Sequence, residues 1–169
     1  MRQFYALLFL ALSFAACNKS EPTSYTDIEW ITLEEAQAKM ATEPRKIMMD
    51  VYTPWCGPCK MMMKTTFKDP EVINYIGQNY YAVKFNGESA DPVKFKGKEF
   101  KNPRYKSNVA KNRRNGVHDL TIDLGVRAYP TLVYFDPQLN KIQESRGMAP
   151  ANLLLAELKK LNGETAATN

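Results

Sequence analysis

Residues 46–60 read KIMMDVYTPWCGPCK, and this stretch decides the fold. Its first half, Ile47–Tyr52, is a compact apolar run that predicts a buried strand, although one acid, Asp50, lies inside it. A helix is predicted to begin at Cys56–Gly57 and to run past Lys64. The chain therefore passes from a buried strand into a helix through a pair of cysteines.

Cys56 and Cys59, separated by two residues at this junction, can close a small disulfide. Because Cys56 lies at the helix N-terminus, the unpaired N–H groups and the helix dipole favour its thiolate over its thiol. That thiolate would attack a substrate disulfide, and the second, more buried cysteine would then resolve the mixed disulfide. The pair predicts thiol–disulfide exchange.

Three other chemistries compete for the same residues. Half of a zinc site fails because His118 is the only histidine of the chain and no second cysteine pair exists, so no metal is expected. A Cys–His hydrolase fails because nothing in the sequence pairs His118 with either cysteine. Methionines 61–63 suggest a copper chaperone, although methionine on a helix face more often fills a core.

The flanking sequence alternates predicted strands and helices. In chain order they are strand 28–31, helix 32–40, strand 47–52, helix 56–64, helix 70–76, strand 80–85, strands 131–135 and 141–146, and helix 151–161. Thr32 and Glu35 form a capping box at the start of the first helix, and Gly77 is predicted to stop the third. The alternation predicts one α/β domain at residues 27–162, followed by a disordered tail at 163–169.

Basic residues are concentrated in one segment. The chain has a formal net charge of +5, yet residues 87–118 alone hold nine Lys or Arg against three Asp or Glu. The rest of the chain after residue 16 carries a small excess of acids, so a surface that binds nucleic acid is not indicated.

The basic segment is predicted to form a small hairpin at 93–100, a loop at 102–116 and a helix at 117–124. Phe95 and Phe100 cannot build a second core, so we expect the hairpin to rest on the domain by one apolar face. The insertion, about 87–116, would then lie outside the minimal fold with its bases in solvent. It is either a solvated surface or a docking element for an acidic partner or anionic lipid.

The N-terminal residues indicate export. Arg2 is followed by an apolar run, Phe4–Ala16, which is too short to span a bilayer and is typical of a signal peptide at residues 1–16. Phe14-Ala15-Ala16-Cys17 resembles the lipobox of bacterial lipoproteins, although leucine is usual where Phe14 stands. The resemblance implies a lipid on Cys17, a polar tether at 17–26 and an anchor on a bacterial membrane, facing the periplasm. Plain cleavage of the signal is the alternative.

Together these motifs resemble the thioredoxin superfamily over roughly residues 45–86 and 117–161. Trp-Cys-Gly-Pro-Cys-Lys at 55–60 is the family's active-site signature, and Tyr129-Pro130-Thr131 matches its cis-proline, which packs against the disulfide. Residues 46–85 look most like the C-terminal periplasmic domain of membrane thiol–disulfide interchange proteins, a similarity carried by Thr-Phe-Lys-Asp-Pro-Glu-Val at 66–72. The resemblance implies a central mixed β-sheet flanked by helices, and a substrate groove lined by Trp55, Gly57, Pro58, Tyr129 and Thr131.

Two charged residues also match the family. Asp50, six residues before Cys56, falls where thioredoxins carry the buried acid that acts on the resolving cysteine. Lys84 falls where the family places a lysine beside that acid. The alternatives are a surface position for Asp50, a solvated Lys84 and a trans peptide bond before Pro130 at the start of a strand.

The resemblance implies a thiol–disulfide oxidoreductase that needs no cofactor beyond its Cys56–Cys59 disulfide. Gly-Pro between the cysteines is the pair found in reducing thioredoxins, so we expect a reductase of disulfides in exported proteins. A membrane or periplasmic electron donor would supply it, because a periplasm is kept oxidising. The alternatives are an oxidase or isomerase with the same chemistry, and a non-catalytic module that binds copper or a protein.

Overall fold

The structure is a computed structural model, and it describes residues 24–164. Its strands are β1 (Trp30–Ile31), β2 (Lys46–Tyr52), β3 (Tyr80–Asn86), β4 (Val93–Phe95), β5 (Lys98–Phe100), β6 (Thr131–Phe135) and β7 (Lys141–Arg146). Its helices are α1 (Leu33–Met40), α2 (Gly57–Lys64), α3 (Pro70–Asn79), α4 (Asp119–Asp123) and α5 (Ala151–Leu161). A turn of 3-10 helix at Thr66–Lys68 separates α2 from α3.

Five strands form one mixed sheet in the order β1-β3-β2-β6-β7. The β1–β3 and β2–β3 pairs are parallel, whereas β6 is antiparallel to both β2 and β7. The predicted strands and helices are all present, with ends that shift by a few residues. The expected central mixed sheet flanked by helices is confirmed.

Side chains of β2 alternate between the two faces of this sheet. Ile47, Met49 and Val51 pack with α1, α4 and the β4–β5 hairpin. Met48 faces the opposite layer, which α2, α3 and α5 cover. Since Asp50 is two residues beyond Met48, its carboxylate points into the same layer as α2, the helix that carries the cysteine pair.

Gly77 does not stop α3, because the helix continues to Asn79. The absence of a side chain serves packing instead, since a Cβ at Gly77 would lie 2.4 Å from Cγ of Tyr25. The backbone N–H of Tyr25 also donates to Oδ1 of Asn74, 2.9 Å away. Tyr25, which the expected tether at 17–26 includes, therefore packs against α3.

The β4–β5 hairpin rests on the domain by one apolar face, as expected. Phe95 and Phe100 are buried in the core that α1 and β2 share, and the ring of Phe95 meets Phe135 at 5.2 Å. Lys96 and Gly97 both have positive φ, which a two-residue turn between such strands requires.

Helix α1 also covers the edge of the hairpin. Gln37 accepts from the backbone N–H of Lys96 and donates to the carbonyl of Lys94, at 3.0 and 2.8 Å. Glu34 accepts from the N–H of Lys94 at 2.6 Å. The hairpin is thus a second, two-stranded sheet beside the five-stranded one, and its aromatic residues and its strand edge pack against the domain.

Asn102 ties together the two ends of the loop that follows the hairpin, and we call this junction the neck of the loop. The amide of Asn102 donates to the carbonyls of Ser89 and Gly116, at 2.9 and 2.7 Å. A Cβ at Gly116 would lie 2.0 Å from the carbonyl oxygen of Arg104, so only glycine allows this close approach. Residues 102–116 thus leave and re-enter the domain at one point.

The chain ends beyond this domain are only partly described. Gly163 and Glu164 close helix α5, and Glu164 accepts a hydrogen bond from the hydroxyl of Tyr75 at 2.6 Å. Residues 165–169, the signal peptide at 1–16 and Cys17 lie outside the described residues. Between residues 24 and 164, none of the helices combines the length and the apolar character needed to cross a membrane.

Candidate functional site

Cys56 and Cys59 form a disulfide at the N-terminus of α2. Cys56 is the N-cap residue, and its sulfur accepts from the backbone N–H of Cys59 at 3.1 Å. Gly57 and Pro58 make the exposed first turn of the helix, where proline's missing N–H costs nothing. The helix N-terminus therefore offers its N–H groups and its dipole to the sulfur of Cys56, which stabilises a thiolate there.

Burial does not distinguish the two cysteines in this state. Cys56 is 2% exposed and Cys59 3% exposed, so the expectation that Cys59 is the more buried of the two is wrong. The asymmetry between the sulfurs lies in the N-cap contact of Cys56 and in the cavity beside Cys59.

Asp50 and Lys84 form a buried ion pair behind the disulfide. They are register partners on the parallel strands β2 and β3, so their side chains leave the sheet on the same face. Lys84 Nζ lies 2.9 Å from Oδ2 of Asp50. The ammonium also lies over the rings of Tyr52 and Trp30, at 4.5 and 4.8 Å from their centroids. The alternatives of a surface Asp50 and a freely solvated Lys84 are both wrong.

The carboxyl group of Asp50 is 1% exposed, and burial raises its pKa, while Lys84 opposes that rise. Oδ1 has no hydrogen-bond partner among residues 24–164. A cavity of about 240 Å³ lies next to the pair, lined by Cys59, Lys84, Tyr52, Thr53 and Met63 among others. Lys84 thus contacts the Asp50 carboxylate and also lines the cavity that reaches the second cysteine.

The loop before β6 completes the front of the site. The Tyr129–Pro130 peptide bond is cis, as the resemblance implied. Thr131 is fully buried, pairs with Val51 of β2, and donates its hydroxyl to the carbonyl of Ala128 at 2.9 Å. This pairing brings the cis-proline to the end of β2 from which the cysteine loop departs.

Trp55 links this loop to the insertion. Its ring meets Tyr129 edge to face, with centroids 5.8 Å apart, and its Nε1 donates to Oε2 of Glu88 at 2.8 Å. The same oxygen accepts from the backbone N–H of Asn115, also at 2.8 Å. Arg114 lies over the Trp55 ring, 4.6 Å from its centroid. Burial, and secondarily the charge of Glu88, raise the pKa of Tyr129 to about 12.

Sequence reasoning missed Glu88, Arg114 and Asn115 as neighbours of the cysteine loop. Glu88 is 33 positions from Trp55 and 27 from Asn115, and its contacts involve one oxygen rather than an apolar face. Contacts of this kind leave no periodicity in a sequence. The excess of basic residues was the one signal that marked the segment.

His118, the one histidine, holds the insertion and takes no part in the cysteine chemistry. It is fully buried, its Nδ1 accepts from the N–H of Leu120 at 3.1 Å, and its Nε2 lies 3.1 Å from the carbonyl of Asp91. This pattern assigns the proton to Nε2. Burial lowers the pKa of His118, against the opposing effect of the bond to Asp91.

Methionines 61–63 do not converge. Met61 is half exposed, Met62 is fully buried in the core, and Met63 lies with its sulfur 2.8 Å from Nζ of Lys84. A cation such as copper would meet the ammonium of Lys84 there. The copper alternative gains no support from this arrangement.

A family model described as "Thioredoxin-like domain" matches residues 33–162. Among curated proteins, the thiol:disulfide interchange protein DsbD of Haemophilus ducreyi is 36% identical over 171 residues, covering 92% of this chain and 26% of the relative. DsbD of Haemophilus influenzae is 32% identical over 132 residues, covering 76% of this chain and 19% of the relative. The chain therefore spans about a quarter or less of the length of these relatives.

The solved structures agree on the fold. A thioredoxin from Thermus thermophilus superimposes with a TM-score of 0.57, covering 80% of this chain and 88% of that chain. Its sequence is only 16% identical, so the likeness concerns the fold alone.

Proposed function

The chain belongs to the thioredoxin-like domain family, and on this basis we propose that it is a thiol–disulfide oxidoreductase that reduces disulfides in exported proteins. The observation that carries the proposal is the Cys56–Cys59 pair at the N-terminus of α2, with cis-Pro130 in front and Asp50 behind. Exchange between thiols and disulfides needs no cofactor.

The reaction begins at Cys56 of the reduced protein. Its thiolate attacks one sulfur of the substrate disulfide, so that a Cys56–substrate bond forms while the substrate S–S bond breaks. The departing substrate thiolate takes a proton from solvent. Stabilisation of the Cys56 thiolate by the N-terminus of α2 makes this sulfur the attacking one.

Resolution then uses Cys59 and Asp50. The Asp50 carboxylate, whose raised pKa makes it a stronger base than an exposed aspartate, accepts the proton of the Cys59 thiol. The Cys59 thiolate attacks the Cys56 sulfur, so that the Cys56–Cys59 disulfide forms while the bond between Cys56 and the substrate breaks. The departing substrate thiolate takes a proton from solvent, and the substrate leaves with two thiols. Two electrons pass from protein to substrate, and a dithiol of a membrane or periplasmic donor restores the reduced pair.

Location follows the same proposal. We assign residues 1–16 to a signal peptide and Cys17 to a lipid anchor that holds the domain at a bacterial membrane, facing the periplasm. The lipobox-like Phe14-Ala15-Ala16-Cys17 and the similarity to DsbD support this assignment.

Insulin reduction by the purified protein tests the activity. The wild-type protein, kept reduced by a dithiol, should accelerate precipitation of insulin chains, whereas Cys56→Ser and Cys59→Ser should not. Cys17→Ser, which leaves the redox pair intact, is the matched control for loss of a cysteine. A wild-type protein without effect on insulin would contradict the proposal and favour a non-catalytic binding module.

Trapping experiments test the division of labour between the cysteines. Cys59→Ala should accumulate mixed disulfides with substrates on non-reducing gels, because Cys56 attacks but nothing resolves the product. Cys56→Ala should accumulate none. If alkylation at neutral pH labels Cys59 of the reduced protein before Cys56, the assignment of roles is wrong.

A further inference from the structure

A shallow groove runs between the cysteine loop and the insertion. It is lined by Trp55, Val109, Ala110, Asn112, Arg113 and Arg114. Trp55 is the residue immediately before Cys56, so one wall of the groove is continuous with the redox site. The other wall is the tip of the insertion, which the sequence alone did not bring to this side of the molecule.

Glu88 fixes these two walls to each other. Its buried carboxylate accepts from Nε1 of Trp55 and from the backbone N–H of Asn115 through the same oxygen. A buried carboxylate with two donors is a defined position rather than a mobile surface group. Glu88 therefore acts as a positioning residue, and the loop at 109–114 keeps its place beside Trp55.

The charge of this loop is unbalanced. Residues 104–114 contain five Lys or Arg and no acid. Arg104 pairs with Asp119, but Lys106, Lys111, Arg113 and Arg114 form no ion pair with a carboxylate of residues 24–164. Lys98 of the hairpin and Lys101 directly after it lie 3.9 and 2.9 Å from carboxylates, whereas the hairpin's Lys94 and Lys96 pair with no carboxylate of residues 24–164 and lie away from the groove. Unpaired positive charge thus remains next to the redox site.

We propose that residues 109–114 form a basic lip of the substrate groove, which selects polypeptides that carry acidic residues beside their disulfide. The proposal rests on the proposed function and names its substrate class. Arg114 lies over Trp55, and Trp55 in turn meets Tyr129, which precedes cis-Pro130. A polypeptide whose disulfide reaches Cys56 therefore passes Arg113 and Arg114, where acidic side chains replace solvent around the guanidinium groups.

An acidic polypeptide fits this lip better than a membrane surface does. A bilayer presents a broad plane of charge, whereas these guanidinium groups border a groove that leads to one sulfur. Their placement favours charge that is covalently tied to the reacting disulfide. Steering of this kind acts on the encounter rate and weakens as salt is added.

Stopped-flow reduction of two synthetic peptides tests the lip. One peptide carries Asp and Glu on both sides of an internal disulfide, and the other carries Asn and Gln at the same places. The reduced wild-type protein should react about tenfold faster with the acidic peptide at low ionic strength, and the preference should shrink with added salt. Arg113→Gln with Arg114→Gln should abolish the preference, so that this variant reduces the acidic and the neutral peptide at equal rates.

Lys94→Gln with Lys96→Gln is the matched control, because it removes the same charge from the hairpin without breaking an ion pair. The control should keep most of the preference. If both double variants lost the preference for the acidic peptide equally, the preference would come from the overall charge of the protein, and the lip would be overturned. Equal rates of the wild type with the two peptides would also overturn it. Failure to reduce either peptide would contradict the proposed function itself, and the lip with it.

Binding to vesicles of anionic and of neutral phospholipid tests whether the lip binds lipid instead. The lip predicts that Arg113→Gln with Arg114→Gln leaves the binding of the reduced protein to either vesicle unchanged. Loss of anionic-vesicle binding in this variant, with the peptide preference intact, would assign the lip to lipid and overturn the proposal.

Discussion

Asp50 lies where an apolar residue would pack without an electrostatic cost. Burial raises its pKa, so the folded protein holds this proton more tightly than the unfolded chain does. The stability that the protonated form contributes is complete below the unfolded pKa, about 3.9, and is lost as pH rises through the folded pKa. The buried acid is a cost that the fold carries at neutral pH.

Asp50→Asn should therefore gain stability relative to the wild type as pH rises from 4 to 8. The gain should be about 1.4 kcal/mol for each unit by which the pKa is raised. Lys84, whose side chain is 22% exposed, can turn its ammonium to solvent in the variant. Urea unfolding of both proteins across this range measures the difference, and a constant difference would contradict a raised pKa.

The same substitution should separate the two chemical steps. Asp50→Asn should slow resolution of the mixed disulfide by Cys59 about tenfold or more, because the base is lost, and should affect the attack by Cys56 much less. Rapid-quench kinetics with a single disulfide peptide resolves both steps. If both steps were slowed equally, Asp50 would act through its charge on the whole site and not by accepting the proton of Cys59.

His118 makes the fastening of the insertion sensitive to acid. Burial lowers its pKa, so its contribution to stability is complete above the unfolded value of about 6.5 and is lost as pH falls toward the folded pKa. A second proton on Nδ1 would break the bond from Leu120 that caps α4. His118→Asn retains a capping acceptor without the titration. As pH falls from 7.5 to 5, the wild type should lose stability relative to the variant, as measured by urea unfolding.

Among the elements, the β4–β5 hairpin is a structural part of the domain. Phe100→Ala should cost about 3–5 kcal/mol of unfolding free energy, because the ring is buried in the main core. Lys98→Ala, on the same strand but exposed, should change stability by about 0.5 kcal/mol or less. Urea denaturation of the two variants measures this contrast. Equal, small effects of the two substitutions on the free energy of unfolding would contradict a structural role for the hairpin.

The sequence was sufficient for the elements that obey a periodicity. The apolar run around Asp50, the helix that begins after Cys56 and the strand after Pro130 were all predicted with small boundary errors, because hydrophobic pattern and capping residues are local signals. Gly77 was misread, and the position of the loop at 102–116 beside the cysteine loop was missed, for the opposite reason. The contacts of Gly77 with Tyr25, and of Glu88 with Asn115, join distant parts of the chain and leave no local pattern.

At the scale of the whole molecule, the proposed anchor is a separate module from the redox domain. Cys17→Ser should move the protein from the membrane fraction to the soluble fraction, or block its processing, since the lipid would be lost. Cys56→Ser should remain with the membrane and serves as the control. Fractionation followed by mass spectrometry of the mature N-terminus measures both, and a mature protein with a free Cys17 thiol would contradict the anchor.

The neck made by Asn102 separates the loop that we propose to choose the substrate from the residues that carry out the redox chemistry. Because its amide binds the carbonyls of Ser89 and Gly116, the residues beyond the neck form a closed loop whose ends are already fixed. Lengthening such a loop costs little, about 0.6 kcal/mol for each doubling. The loop is therefore an exchangeable cassette: evolution, or a designer, can rewrite which clients the protein accepts while the cysteines, the buried acid and the cis-proline stay as they are.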